Sequence, residues 1–229
     1  MLETTERIEM HQSTDYLSTL TLGLMQRENK YTVFISPVMQ DKRELINISE
    51  ESSLTCRVCC TPWCRSYRAK LTSVEDGSLV AQYYRPYKCT FLCFARPEIV
   101  VANARGEKIG SIQNPCSFCH LRVKLCDSID NHIFTLETKV MHPGVICEAM
   151  CGRCFKVRFN ILDVKKGSTT VSQFSKIYGG CLRECCSNSD SYAVLIPNQM
   201  GYNDRLLLIA ALHLIDMQYF EHTCPGGIA

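Results

Sequence analysis

The sequence has no apolar run long enough to cross a bilayer comfortably. Its greasiest stretch, Arg205–Phe220, carries Arg205, His213 and Asp216 inside or beside it. As a helix it would span about 24 Å at about 1.5 Å per residue, against a bilayer core of about 30 Å that takes about 20 apolar residues. It is also too apolar all round for a surface helix, so it must either be enclosed by protein or meet lipid. Leu208 lies near its middle and Phe220 at its end, and both readings stand on sequence alone. The first thirty residues lack the apolar core of a signal peptide, so the protein is expected to be cytosolic or to hold its bulk on the cytosolic side of a membrane. No Lys/Arg cluster stands out and the net charge is only +2, which argues against a nucleic-acid partner. There is no G-x-S-x-G elbow, H-E-x-x-H pair, phosphate-binding loop or dinucleotide fingerprint. Covalent catalysis is therefore not expected, and no catalytic residue is assigned.

Cysteine is what the chain has in excess, sixteen in 229 residues. In reducing cytosol a disulfide framework is the lesser reading, leaving thioacylation, zinc and plain buried thiols. Cys56-x-x-Cys59, Cys116-x-x-Cys119 and Cys151-x-x-Cys154 each have the spacing of a zinc half-site, but the gaps between pairs are long. Cys56, Cys59, Cys151 and Cys154 are kept as weak metal candidates. Cys116-Ser-Phe-Cys-His120 also fits the haem-attachment pattern, a single match of little weight. The segment from Cys186 to Pro197 gathers oxygen ligands, including Asn188, Asp190 and Ser191, before a strand. A hard cation wants more carboxylate than the single Asp190 offers there.

Residues 1–14 are polar and read as a disordered segment. Tyr16, Leu17, Leu20, Leu24 and Met25 sit near helical spacing. The period then changes to two, with strand-like runs at 31–36, 45–49, 66–72, 79–84, 98–102, 108–113, 120–125, 133–140, 155–162, 170–175 and 192–196. Turn signals such as Glu75-Asp76-Gly77, Ala104-Arg105-Gly106-Glu107 and Lys165-Lys166-Gly167-Ser168 lie between them. Short strands at regular spacing predict a sandwich or barrel, as one domain over residues 15–223 with the helix at 204–221 and a loose tail at 224–229. A closed sheet could bury such a helix as its own core, where His213 and Asp216 would find hydrogen-bond partners that hydrocarbon lacks.

Several short stretches, in order along the chain, resemble one family. They are Asn29-Lys30-Tyr31; Glu50-Glu51-Ser52 leading into Cys56-Arg57-Val58-Cys59-Cys60; Arg85-Pro86-Tyr87-Lys88-Cys89; and Gly106-Glu-Lys-Ile-Gly110. Further on come Asn114-Pro115-Cys116, Cys151-Gly152, Phe155-x-Val157-x-Phe159, Ser175-Lys176-Ile-Tyr178-Gly-Gly180 with Glu184, and Leu214-Ile-Asp216 with Phe220-Glu221. On these residues the chain resembles the phospholipid scramblases over about residues 15–223.

The resemblance implies a tubby-like fold, a twelve-stranded antiparallel β-barrel around a central apolar C-terminal helix. It also implies Ca²⁺-stimulated, ATP-independent movement of phospholipids between leaflets. The family's palmitoylated cysteine run falls at Cys89-Thr-Phe-Leu-Cys93, where two cysteines remain. Its Ca²⁺-associated acidic segment falls at Asn188–Gln199, where Asp190 alone is acidic. The family's Pro-rich N-terminal extension has no counterpart, since no proline precedes Pro37, so docking to SH3 or WW modules is not expected. The expected protein is membrane-associated on the cytosolic face, with the plasma membrane as first location and cytosol or nucleus as alternatives. Its partner is the phospholipid membrane, through palmitate on Cys89 and Cys93, with Ca²⁺ dependence doubtful. A soluble or lipid-anchored interaction module without transport activity is the alternative.

Overall fold

The computed structural model describes residues 7–13, 29–35, 42–53, 64–88, 96–117, 119–139, 141, 157–177, 191–197 and 200–220. Twelve strands form a closed barrel: β1 (Arg7–Gln12), β2 (Lys30–Ile35), β3 (Arg43–Glu51), β4 (Tyr67–Ser73), β5 (Leu79–Arg85) and β6 (Glu98–Asn103), then β7 (Lys108–Gln113), β8 (His120–Cys126), β9 (His132–Lys139), β10 (Arg158–Asp163), β11 (Thr169–Ile177) and β12 (Ser191–Leu195). Every neighbouring pair is antiparallel, and β1 closes the circle between β12 and β2. Helix α1 (Tyr202–Ile215) follows β12 and runs on into a π-helical turn, Asp216–Phe220.

The eleven strands expected from alternation all form, with ends shifted by at most a few residues. The disordered reading of residues 1–14 fails at Arg7–Gln12, which is the twelfth strand. Only Ile8 and Met10 supply its inward apolar face, too few for a pattern to register. Its outward Glu9 is buried instead by charge, meeting Arg7 Nη2 at 2.7 Å and Lys42 Nζ at 2.5 Å. The helical spacing at Tyr16–Met25 falls outside the described residues.

α1 is the core. Every residue from Arg205 to Ile215 is buried, and strand side chains such as Val33, Ile48, Leu71, Val101, Leu136 and Ile161 close around it. A helix apolar on all faces is unstable at a surface and stable here, because a barrel offers apolar contact in every direction. The two ends of the barrel differ. At the entry end, where the chain passes from β12 into α1, β4–β5, β6–β7, β8–β9 and β10–β11 are joined by four or five residues. Gly77 (φ +67°) and Gly106 (φ +82°) supply the left-handed backbone that two of these turns require. All five hairpins joined at this end carry a register shift, and a bulge adds local twist and bend that help the sheet to curl. The six strand pairs joined at the opposite end carry none.

Gly110 on β7 sets the closest approach of wall to helix. A Cβ there would lie 2.3 Å from the Cys126 carbonyl oxygen and 2.6 Å from Leu207 Cδ1. Gly110→Ala should lower stability by about 1–3 kcal/mol, the usual range for overpacking. Thermal melting read by circular dichroism checks this: a midpoint unchanged or raised would mean that the wall yields freely.

Candidate functional site

The polar residues of the interior gather where α1 ends. We call this the latch end. Asp216, at the first position of the π-turn, is buried, and both of its carboxylate oxygens are occupied. The Tyr31 hydroxyl donates to Oδ2 at 2.6 Å, and the Tyr192 hydroxyl donates to Oδ1. Tyr31 is the second residue of β2 and Tyr192 the second of β12, so one side chain ties the helix to strands on both sides of β1. One turn back, His213 sits among three tyrosine rings, with centroids at 4.7 Å for Tyr31, 5.5 Å for Tyr67 and 5.9 Å for Tyr83. The Tyr83 hydroxyl and His213 Nδ1 share a hydrogen bond. Burial holds the imidazole down to about 3, and the nearby Arg65 and Arg85 guanidinium groups push the same way. Burial likewise pushes the Tyr67 phenol up to about 12 and the Tyr83 phenol well above its ordinary value.

A buried ion pair surrounds this centre. Arg65 Nη2 lies 3.0 Å from Glu50 Oε1, with both side chains fully enclosed, and Ser52 donates to the same Oε1 at 2.9 Å. Arg85 places its guanidinium 5.7 Å from the Tyr67 ring and donates to Gln218 Oε1 at 2.7 Å. Lys176 stands 4.6 Å over Phe220, and Asn114 donates to the Tyr219 hydroxyl at 2.6 Å. Asn29, Tyr31, Glu50, Arg85, Asn114, Lys176, Asp216 and Phe220 all belong to the short stretches on which the family resemblance rests, and the fold brings them to one end of the barrel. The arrangement pins the helix at Asp216 and His213, while among the described residues the buried His213 Nε2 and Tyr67 hydroxyl find no hydrogen-bond partner. Its bonds run between neutral tyrosines, a neutral imidazole and a doubly bonded carboxylate, which is the chemistry of a latch.

Of the sequence candidates, Arg205, Leu208, His213, Asp216 and Phe220 are all buried in the interior, with Arg205 at the entry end donating from Nε to the Met200 carbonyl at 3.0 Å. The membrane-insertion reading of this segment gives way to the enclosed one: among the described residues no helix is long and apolar enough to cross a membrane. Ser191 opens β12, and its hydroxyl lies 2.8 Å from His11 Nδ1. Asn188, Asp190 and Gln199 lie outside the described residues, as do Cys89 and Cys93 and the metal candidates Cys56, Cys59, Cys151 and Cys154. Among the described residues, no three His, Cys, Asp or Glu side chains converge as a metal site. Cys116 is disulfide-bonded, so Cys116 and Cys119 are not a free dithiol pair for zinc or haem. Sequence reasoning missed Tyr31, Tyr83, Tyr192, Arg65 and Glu50 as partners of the helix. The available signal was tyrosine at inward strand positions, since a buried phenol needs a polar partner.

A family model described as Scramblase matches residues 1–222. The chain belongs to the scramblase family. Its curated relatives include phospholipid scramblase 1 of Homo sapiens, 26% identical over 220 residues that cover 95% of this chain and 64% of that protein. Phospholipid scramblase 2 of Homo sapiens is 24% identical over 177 residues, covering 76% of this chain and 56% of its own length. Phospholipid scramblase family member 5 of Homo sapiens is 22% identical over 184 residues, with 80% and 52% covered. The chain thus spans less than two thirds of the length of these relatives. No solved structure gives a significant match. In this member of the scramblase family the C-terminal helix is enclosed by the barrel.

Two measurements test the latch. Tyr31→Phe and Tyr192→Phe should each lower stability by about 1.5–3 kcal/mol, the usual worth of a hydrogen bond to a charged group. A loss below a few tenths in both would show that Asp216 does not depend on them. Acid sensitivity tests His213. Because the folded state holds this imidazole down to about 3 while an unfolded histidine titrates near 6.5, only the unfolded chain binds the proton between those values. The contribution of His213 to stability is thus complete above about pH 6.5 and is lost as pH falls, by about 1.4 kcal/mol per pH unit. Denaturant melts from neutral pH down to about pH 4.5 should show a shallower slope for His213→Gln, by about one proton. Parallel slopes would place the charge-sensitive group elsewhere.

Proposed function

We propose that this protein works on phospholipid bilayers from their cytosolic face, promoting ATP-independent, bidirectional movement of phospholipids between leaflets without a helical span of its own. Membership of the scramblase family supports the lipid substrate. Enclosure of α1 carries the topological half of the reading: all residues from Arg205 to Ile215 are buried, and Asp216 is bonded by two tyrosines. The barrel wall agrees. Its inward faces are apolar, while outward positions hold residues such as Asn47, Arg68, Lys70, Arg122, Lys124 and Glu137. A barrel crossing lipid would carry an apolar outer band instead.

Attachment then falls to acyl chains on Cys89 and Cys93, between β5 and β6. One chain binds marginally and two hold stably. Ca²⁺ contributes little in this reading. The Asn188–Gln199 segment has Asp190 as its one carboxylate, and so low a ligand charge places binding at about millimolar or weaker.

The second reading is a lipid-anchored interaction module that moves no lipid. It is favoured by one observation: α1 and its polar latch fill the interior that a headgroup would otherwise traverse. Dithionite quenching of labelled phospholipid in proteoliposomes of the full chain separates the two. Acceleration over empty vesicles supports transport, and rates equal to empty vesicles with and without Ca²⁺ leave the module. Hydroxylamine-sensitive acyl labelling should be lost in the Cys89→Ser/Cys93→Ser double variant, and a wild type that takes no label would remove the anchor. Calorimetric Ca²⁺ binding in the micromolar range, abolished by Asp190→Ala, would overturn the weak-calcium reading.

A further inference from the structure

The two ends of the barrel also differ in charge. At the latch end Lys30, Arg68, Lys139 and Arg158 are exposed and Lys88 is half-buried. None of the five makes an ion pair with another described residue. Among the described acids of this rim, Glu51 is paired with Lys70 at 2.6 Å and Glu137 with Arg122 at 2.7 Å, while Glu98, on β6, keeps its charge and accepts from the Gln113 amide at 3.0 Å. Glu50 and Asp216 are sealed inside. Among the described residues the rim therefore presents uncompensated positive charge on two arcs, β2–β5 and β9–β10.

Each arc couples this charge to exposed apolar surface. Arg68 is paired across the sheet with Tyr84, which is 52% exposed, and Tyr87 (58%) adjoins Lys88 in sequence. On the far arc Met141, 77% exposed, lies two residues beyond Lys139. Aromatic or apolar groups beside basic ones suit a bilayer interface, where the first sit among headgroups and the second meet anionic lipid. A polyanion without an apolar layer would leave Tyr87 and Met141 unused. The entry end is unsuited to such a surface. Its Lys108 is neutralised by Asp130 at 2.6 Å, its exposed Ile129 stands between Asp127 and Asp130, and Arg105, Lys165 and Lys166, exposed and without an ion pair to another described residue, share the rim with the exposed Glu75, Asp76 and Glu107.

We infer that the barrel docks end-on, with the latch-end rim against an anionic phospholipid leaflet and the entry end facing away. This rests on the bilayer reading above and adds the contact face and the lipid charge it selects. The connection between β5 and β6, which holds Cys89 and Cys93, leaves from this same rim, so acylation and electrostatic docking would act on one face. Two weak signals on one face make a stable attachment.

The test is sedimentation of the full chain with phosphatidylcholine vesicles, with and without phosphatidylserine, at low and high salt. Binding should require phosphatidylserine and weaken in salt. Lys30→Gln/Arg68→Gln/Lys139→Gln should weaken it about a hundredfold, as expected for three basic residues at an anionic surface. Arg105→Gln/Lys165→Gln/Lys166→Gln, at the entry end, should bind as wild type. Both triples lie on the outer surface, and matched melting temperatures confirm that each is folded. Tyr87→Ser/Met141→Ser should reduce the binding that survives high salt. Equal loss in both triples, or no loss in either, would overturn the end-on geometry while leaving membrane association intact. Preference for duplex DNA at equal phosphate would overturn the lipid assignment. A wild type that binds neither vesicle would sink the bilayer reading, and this inference with it.

Discussion

Everything in this protein depends on hiding one helix. Leu206, Leu207, Leu208, Ile209, Leu212, Leu214 and Ile215 leave α1 no face that water would tolerate, and each such side chain gains about 1.5–3 kcal/mol from full burial. A layered sheet covers one side of a helix, whereas a closed sheet covers all of them. Twelve strands around one helix satisfy that demand, and Gly110 shows how tightly, since not even a methyl group fits between wall and helix.

An apolar cylinder inside an apolar tube has no preferred depth or rotation. The polar groups at the end of α1 supply both. Asp216 accepts from Tyr31 and Tyr192 and His213 is bonded to Tyr83, so any slide or turn of the helix would strand buried hydrogen-bonding groups. The Glu50–Arg65 pair, fully enclosed at the same end, works in the same sense: its cost of burial is recovered only in the one arrangement where the partners meet. Register is thus fixed by polar specificity, while most of the stability comes from the apolar contact.

The same division separates core from function. The helix that a membrane reading would send into lipid is committed to the interior, so contact with a bilayer falls to the outside of the barrel. The two ends are not equivalent there. One is drawn together by short bulged hairpins with charges of both signs; the other carries the longer connections, basic residues without an ion pair to another described residue, and exposed Tyr87 and Met141. An up-and-down barrel makes this asymmetry natural, because successive connections alternate between its two ends.

The sequence by itself determined the local structure. Period-two alternation announced eleven strands, Asp-Gly and Arg-Gly pairs placed turns, and the run from Asp204 to Glu221 announced a helix that had to be covered. Such features depend on neighbours in the chain, and neighbours are what a sequence displays. β1 escaped because its outward Glu9 is buried by Arg7, Lys42 and His11, charges whose approach no spacing predicts. The site divided in the same way. His213 and Asp216 were visible as polar residues in an apolar helix, but Tyr31, Tyr83, Tyr192, Glu50 and Arg65 lie up to 185 positions from them. Only closure of the barrel and the register of its strands decided that these side chains meet. Whether the helix faced lipid or protein was likewise a tertiary matter, settled by the continuous surface that the other strands could wrap around it.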